Sequence, residues 1–196
     1  MKKLFLIAAI LIPLCMTGQN RHRFDVGTGF VVPKEFLTDE ELFPESNTVN
    51  LYGGYRYELP SGLSFGLQYS FVPNHKGSRD IVIPPSDEEE SVETVQTLVM
   101  TSRYHTINAI VDYKVGTFGP LSMFIGGGAG AQCRHASYSH SLYDGYFWST
   151  DICLYAGLEL FDHLRLTLGH NHDLHAQISA LPTGAPFYYI NIGWAF

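Results

Sequence analysis

The last ten residues, Phe187 to Phe196, read FYYINIGWAF. Successive side chains of an extended strand point to opposite faces. Tyr188, Ile190, Ile192, Trp194 and Phe196 therefore share one side, and Tyr189, Asn191, Gly193 and Ala195 share the other. The first face is large and apolar, the second small and polar. In a water-soluble domain the aromatic face needs a core to cover it, and nothing downstream supplies one. A strand whose aromatic face meets lipid has no such need, and that directs the reading toward a membrane-spanning barrel.

The same two-residue beat recurs upstream, pairing an apolar set with a small or polar one. Phe24, Val26, Thr28 and Phe30 alternate with Asp25, Gly27 and Gly29, and Val49 to Leu59 repeats the pattern around Arg56 and Glu58. Leu63, Phe65, Leu67, Tyr69 and Phe71 oppose Ser64, Gly66, Gln68 and Ser70. Ile107 to Val115 alternates with Thr106, Asn108, Asp112 and Lys114, and Trp148 to Leu160 with Asp151, Cys153 and Glu159. Leu164, Leu166 and Leu168 flank Arg165 and Thr167. Leu121 to Cys133 is extended too, but its GGGAGA run carries no phase. With the terminal stretch these make eight strands.

Their connections, 33 to 47, 60 to 62, 73 to 103, 116 to 120, 134 to 145, 162 to 163 and 174 to 185, alternate long and short. Pro60-Ser61-Gly62, Gly119-Pro120 and Asp162-His163 supply turn chemistry in the short ones. Transmembrane barrels show this asymmetry, with tight turns on the periplasmic side and longer outer loops. The expected fold is all-β: an eight-stranded antiparallel, up-and-down transmembrane β-barrel over residues 20 to 196, with both termini periplasmic.

Charge decides which face looks inward. Asp25, Arg56, Glu58, Asp112, Lys114, Asp151, Glu159 and Arg165 all belong to the small, polar set. Turned toward lipid, each Arg or Lys near the bilayer midplane would cost about 2–4 kcal/mol. Turned inward, opposite signs can pair. Arg56, Glu58, Asp112, Lys114, Asp151, Glu159 and Arg165 are therefore expected to form a lumen ion-pair network. An eight-stranded barrel is just wide enough for side chains to fill, so a diffusive pore is not expected.

At the other end of the chain Lys2 and Lys3 precede LFLIAAILIPL (residues 4 to 14) and then small and polar residues through Gln19. This is the pattern of a cleaved secretory signal, a helix over residues 1 to 19. After residue 19 no apolar run is long enough for a transmembrane helix, and a mean hydropathy near zero excludes a helical bundle in the membrane. Loss of Lys2 and Lys3 takes the net charge from −7 to −9, which argues against nucleic acid as a partner. Cys133 and Cys153 are then the two mature cysteines. They flank one outer loop of an exported chain, and a hairpin centred near Tyr143 would set them opposite each other as a disulfide.

The signal ending TGQ, the eight dyad-patterned strands and the Trp194–Phe196 end resemble the small eight-stranded outer-membrane β-barrels of the OmpA and OmpX kind, especially the short barrel proteins of Bacteroidetes-like bacteria. The resemblance extends over residues 20 to 196 in pattern. It implies residence in the cell outer membrane as a monomer, among phospholipid and lipopolysaccharide. It also implies recognition of the terminal aromatic strand by the barrel-assembly machinery. It says less about activity, because the barrel is a scaffold with many uses.

Three features carry candidate chemistry. His170, His172, Asp173 and His175 crowd the end of strand seven and the following loop, with His135 and His140 in the neighbouring loop. Converging, they would suit zinc, copper or nickel; polar surface histidines are the plainer reading. Lipid A deacylase barrels resemble this fold and place a Ser two residues after a catalytic His near a strand end. Here His170 is followed by His172 and Asp173, so the nucleophilic hydroxyl is missing and a lipid A-modifying enzyme is the lesser reading. The longest loop carries Ser86-Asp87-Glu88-Glu89-Glu90 and Glu93, a solvated acidic run. The expected function is structural or surface recognition and adhesion, with the outer loops meeting a host or surface partner. No enzymatic role and no cofactor are expected.

Overall fold

Eight strands follow one another in the computed structural model: β1 (His22–Pro33), β2 (Thr48–Glu58), β3 (Leu63–Ile83), β4 (Thr94–Phe118), β5 (Leu121–Tyr138), β6 (Gly145–Leu160), β7 (Leu164–Asp173) and β8 (Phe187–Ala195). The structure describes residues 22–33, 48–83, 94–138, 145–173 and 187–196. The signal segment 1–19 and the acidic run 86–90 with Glu93 lie outside them. Each strand pairs antiparallel with the next, and β8 returns to β1, so the sheet closes on itself. The closing seam runs from Asp25 opposite Ala195 to Pro33 opposite Phe187. Phe196 N donates to Phe24 O at 2.7 Å and Phe24 N to Phe196 O at 3.4 Å. Closure leaves no edge whose backbone groups would face lipid unpaired.

Burial is inverted relative to a soluble domain. Asp25 and Asp151 are 1% and 0% exposed, while Phe30 and Leu154 are 60% and 65% exposed. The exposed apolar residues continue right round the wall, through Leu51, Leu67, Ile107, Ile125, Leu168 and Ile190. An apolar surface that encircles a protein is far larger than the patches soluble monomers tolerate. Among the described residues no helix is long and apolar enough to cross a membrane.

The short connections are tight. Gly62 takes a positive φ of 81° in the β2–β3 turn, with Gly62 N donating to Leu59 O at 3.0 Å. The β6–β7 turn sits one residue earlier than the sequence suggests, on Phe161 and Asp162 at φ 55° and 60°. His163 N closes it on Leu160 O at 3.1 Å. Two consecutive positive φ values give the turn whose twist matches an antiparallel hairpin. The β4–β5 connection is also shorter than expected, because the ladder runs on to Phe118 opposite Leu121 after a register shift between Lys114 and Gly116.

The outer hairpins differ more. Residues 73–83 and 94–103, expected as loop, extend β3 and β4 in a ladder that ends with Ile83 opposite Thr94. β5 and β6 likewise pair out to Ala136 opposite Gly145. Alternating apolar patterning marks a strand that separates lipid from lumen. Past Val72 the regular alternation of Leu63–Phe71 is not carried on, yet the backbone pairing persists.

The ladder also phases β5, where the glycines are silent. Ser122, Phe124, Gln132 and Arg134 are buried inside the barrel, while Met123 and Ile125 face out. Large rings fit the lumen because glycines stand across from them. An added Cβ would meet the Tyr155 ring at Gly126, the Phe124 ring at Gly157 and the Tyr189 ring at Gly169. Ile110, 2% exposed, joins Val31, Val72 and these rings in an apolar lining of the lumen. The small, polar face is therefore polar only in part.

Candidate functional site: lumen and girdles

Inward-facing positions of neighbouring strands fall at similar depths, so the lumen is built in layers. Nearest the short turns, Arg23 of β1 donates to Glu58 of β2 at 3.2 Å and to Glu159 of β6 at 2.9 Å. Lys114 of β4 stands 3.2 Å from Glu58 and 3.8 Å from Glu159. In the next layer Arg56 pairs with Asp25 through Nη1 and lies 2.6 Å from Asp112 through Nε. Arg165 of β7 donates to Asp112 at 3.1 Å and stands 3.7 Å from Glu159. Its guanidinium also lies over the Phe124 ring, 3.6 Å from the centroid, a cation–π contact.

The result is one chain of alternating sign, Asp25–Arg56–Asp112–Arg165–Glu159–Arg23–Glu58–Lys114, spread over β1, β2, β4, β6 and β7. Four cations meet four carboxylates, so the charges cancel. Of the residues expected to form a network, Arg56, Glu58, Asp112, Lys114, Glu159 and Arg165 are brought together here. Asp151 lies in a separate layer and accepts hydrogen bonds from Asn108 at 2.7 Å and Asn171 at 3.0 Å. Asn50 donates to Asn191 at 3.0 Å in that same amide layer. Arg23 was missed because it lies one residue before the apolar alternation begins; it shares the odd parity of Asp25, and that signal was available.

The outer face of the wall carries the histidines. His170 and His172 alternate with Asn171 on β7 and share their parity with Leu164, Leu166 and Leu168, so both point away from the lumen. Their rings lie 6.1 Å apart, and His170 packs against Tyr188 at 4.7 Å. His135 on β5 packs against Tyr146 at 4.6 Å, and His105 stacks on Phe71 at 4.7 Å. At the opposite rim His163 stacks on Trp194 at 5.3 Å and His22 meets Tyr57 at 5.1 Å. These imidazoles are thus partners of tyrosine, phenylalanine and tryptophan in two interfacial belts, where aromatic residues of membrane barrels gather.

Among the described residues, the expected metal ligands do not converge. His135 pairs with Tyr146 and His172 with Ile152, positions six residues apart on β6 and so separated by roughly 20 Å. Asp173 sits in register with Asp151, on the other parity from the two β7 histidines. His140 and His175 lie outside the described residues. Among the described residues no three His, Cys, Asp or Glu side chains gather as metal ligands do. The disulfide is corrected as well. Cys133 pairs with Trp148, five residues short of Cys153, which pairs with Gly128. An odd offset puts the two sulfurs on opposite faces of the sheet, and both thiols are free.

No protein-family model matches the chain, and no curated protein matches it in sequence. Solved structures do match in fold. Neisserial surface protein A shares 12% identity at a TM-score of 0.55, covering 91% of this chain and 98% of that one. The outer membrane protein OprG from Pseudomonas aeruginosa shares 11% identity at a TM-score of 0.53, covering 89% and 95%. The chain has the fold of the small eight-stranded outer-membrane barrels, the OmpA and OmpX kind.

Proposed function

We propose that this protein is a monomeric outer-membrane barrel with a lumen closed to solutes, whose role is surface recognition through its outer hairpins. The observation that carries the closed lumen is the ion-pair chain running from Asp25 to Lys114, with the amide layer of Asn50, Asn108, Asn171 and Asn191 on the outer side of it. A solute would have to break buried charge pairs to pass, and an uncompensated buried charge costs several kcal/mol. Single-channel recording in planar bilayers tests this: the expected trace is flat, and reproducible conductance steps would overturn the closed lumen.

Recognition is supported by the length of the β3–β4 hairpin. A transmembrane strand needs about 9–11 residues, whereas β3 has 21 and β4 has 25. Its tip connection holds the acidic run Ser86 to Glu90, so a partner presenting cationic groups fits it. A lipid A-modifying role is disfavoured by the histidine face itself. His170 rests on Tyr188, and His172 occupies the position where a nucleophilic hydroxyl is required. Cells carrying the protein are expected to show an unchanged lipid A acyl pattern by mass spectrometry.

A further inference from the structure

The lipid-facing wall is not smooth. A furrow of about 680 Å³ crosses it from Tyr113 on β4 to His170 and Tyr188 on β7 and β8. Its sides are Val111, Ile125, Leu154 and Leu168, all outward and half or more exposed. Its lining includes Gly126, Gly127 and Gly169. An added Cβ at Gly127 would lie 3.0 Å from Cys153 O and from Leu154 Cδ2, so a side chain there would crowd its neighbours. The trough is apolar along its length, with the lone phenol of Tyr113 at one end and a denser polar group at the other. There the imidazole of His170, the phenol of Tyr188 and, 6.1 Å further along β7, the imidazole of His172 meet in the outer belt.

An apolar groove with three N–H and O–H donors gathered at its outer end is complementary to an amphiphile lying parallel to the strands. We propose that the furrow is a binding site for a phosphate-bearing lipid of the outer leaflet: one acyl chain lies between Leu154 and Leu168, and the phosphate accepts hydrogen bonds from His170, His172 and Tyr188. The proposal rests on the outer-membrane reading above.

The test uses the full barrel in phosphatidylcholine vesicles doped with one of two probes, a phosphatidylglycerol or a diacylglycerol carrying the same photoactivatable acyl chain. Cross-linked residues are located by peptide mass spectrometry. The expected result is phosphatidylglycerol labelling concentrated on Val111, Leu154 and Leu168 above the rest of the wall, with diacylglycerol labelling spread evenly. Leu168→Trp, which fills the furrow from an outward position, is expected to remove the excess, and Ile192→Trp on the far side of β8 to leave it. His170→Leu with His172→Leu is expected to erase the difference between the two probes. Even labelling by both probes round the wall overturns the furrow site and leaves the membrane reading standing. Absence of labelling on every outward residue overturns both.

Discussion

Arg56 binds two carboxylates at once, Asp25 through Nη1 and Asp112 at 2.6 Å through Nε, while Nη2 donates to Gln68 at 3.2 Å. Three strands besides its own thus converge on one guanidinium. Its planar fork makes this possible, since an ammonium offers a point charge with no fixed geometry. Replacing Arg56 by Met keeps the bulk but strands Asp25, which is 1% exposed. Breaking a buried pair in this way typically costs about 3–5 kcal/mol. The expected outcome for Arg56→Met is a loss of that size in urea unfolding from phospholipid vesicles, with Arg56→Lys recovering only part. Adding Asp25→Leu to Arg56→Met should recover part as well, because the uncompensated charge is then removed; Asp112 keeps Arg165 at 3.1 Å. A loss well under 1 kcal/mol for Arg56→Met would mean that water, rather than Arg56, satisfies the carboxylates.

At the scale of the strand, legibility followed chemistry. β8 could be read because its two faces differ in size and polarity at every step, and a one-residue slip would put Asn191 into lipid. β5 could not be phased, because a glycine looks alike from either face. Only its partners settle the matter, Tyr155 over Gly126 and Phe124 over Gly157. The error over Cys133 and Cys153 came from the same gap: locating the hairpin centre near Tyr143 rather than reading it from the ladder reverses the face of every residue on one strand. The histidines of β7 are a different case. Their parity with Leu164, Leu166 and Leu168 was visible, and it places them outside rather than in a converging cluster. Two outcomes follow. The denatured protein should migrate identically on gels with and without reductant, and a reduction-dependent shift would restore the bridge. Deleting Phe196 removes both backbone hydrogen bonds it shares with Phe24, at the point where the barrel closes. The truncated chain is expected to assemble poorly, as read by the folded fraction recovered in outer-membrane preparations, and wild-type recovery would show that the seam closes without it.

Across the whole molecule, the lumen and the outer hairpins are separate units. The ion-pair chain lies toward the short turns, between Arg23 and Asp112, while the ladder from Lys76 opposite Thr101 to Ile83 opposite Thr94 continues past the buried wall residues Val72 and Ser102. A register shift between Val72 and His75 divides the two regions, and such bulges redirect a strand at the rim of a barrel. The hairpin beyond it projects up to about 30 Å at the usual rise per residue. It shares no lumen charge pair among those described, so its removal should leave the barrel's stability nearly unchanged. Joining His75 to Ser102 through Asn-Gly, whose backbone favours the two-residue hairpin turn, makes the test direct. The shortened barrel is expected to insert into vesicles with the wild-type urea midpoint. Cells displaying it are expected to lose retention on cultured epithelial monolayers relative to cells displaying the full barrel. Equal retention would assign recognition to some other part of the surface. A lowered midpoint would instead make the hairpin part of the folding unit, and the division at His75 would then be wrong.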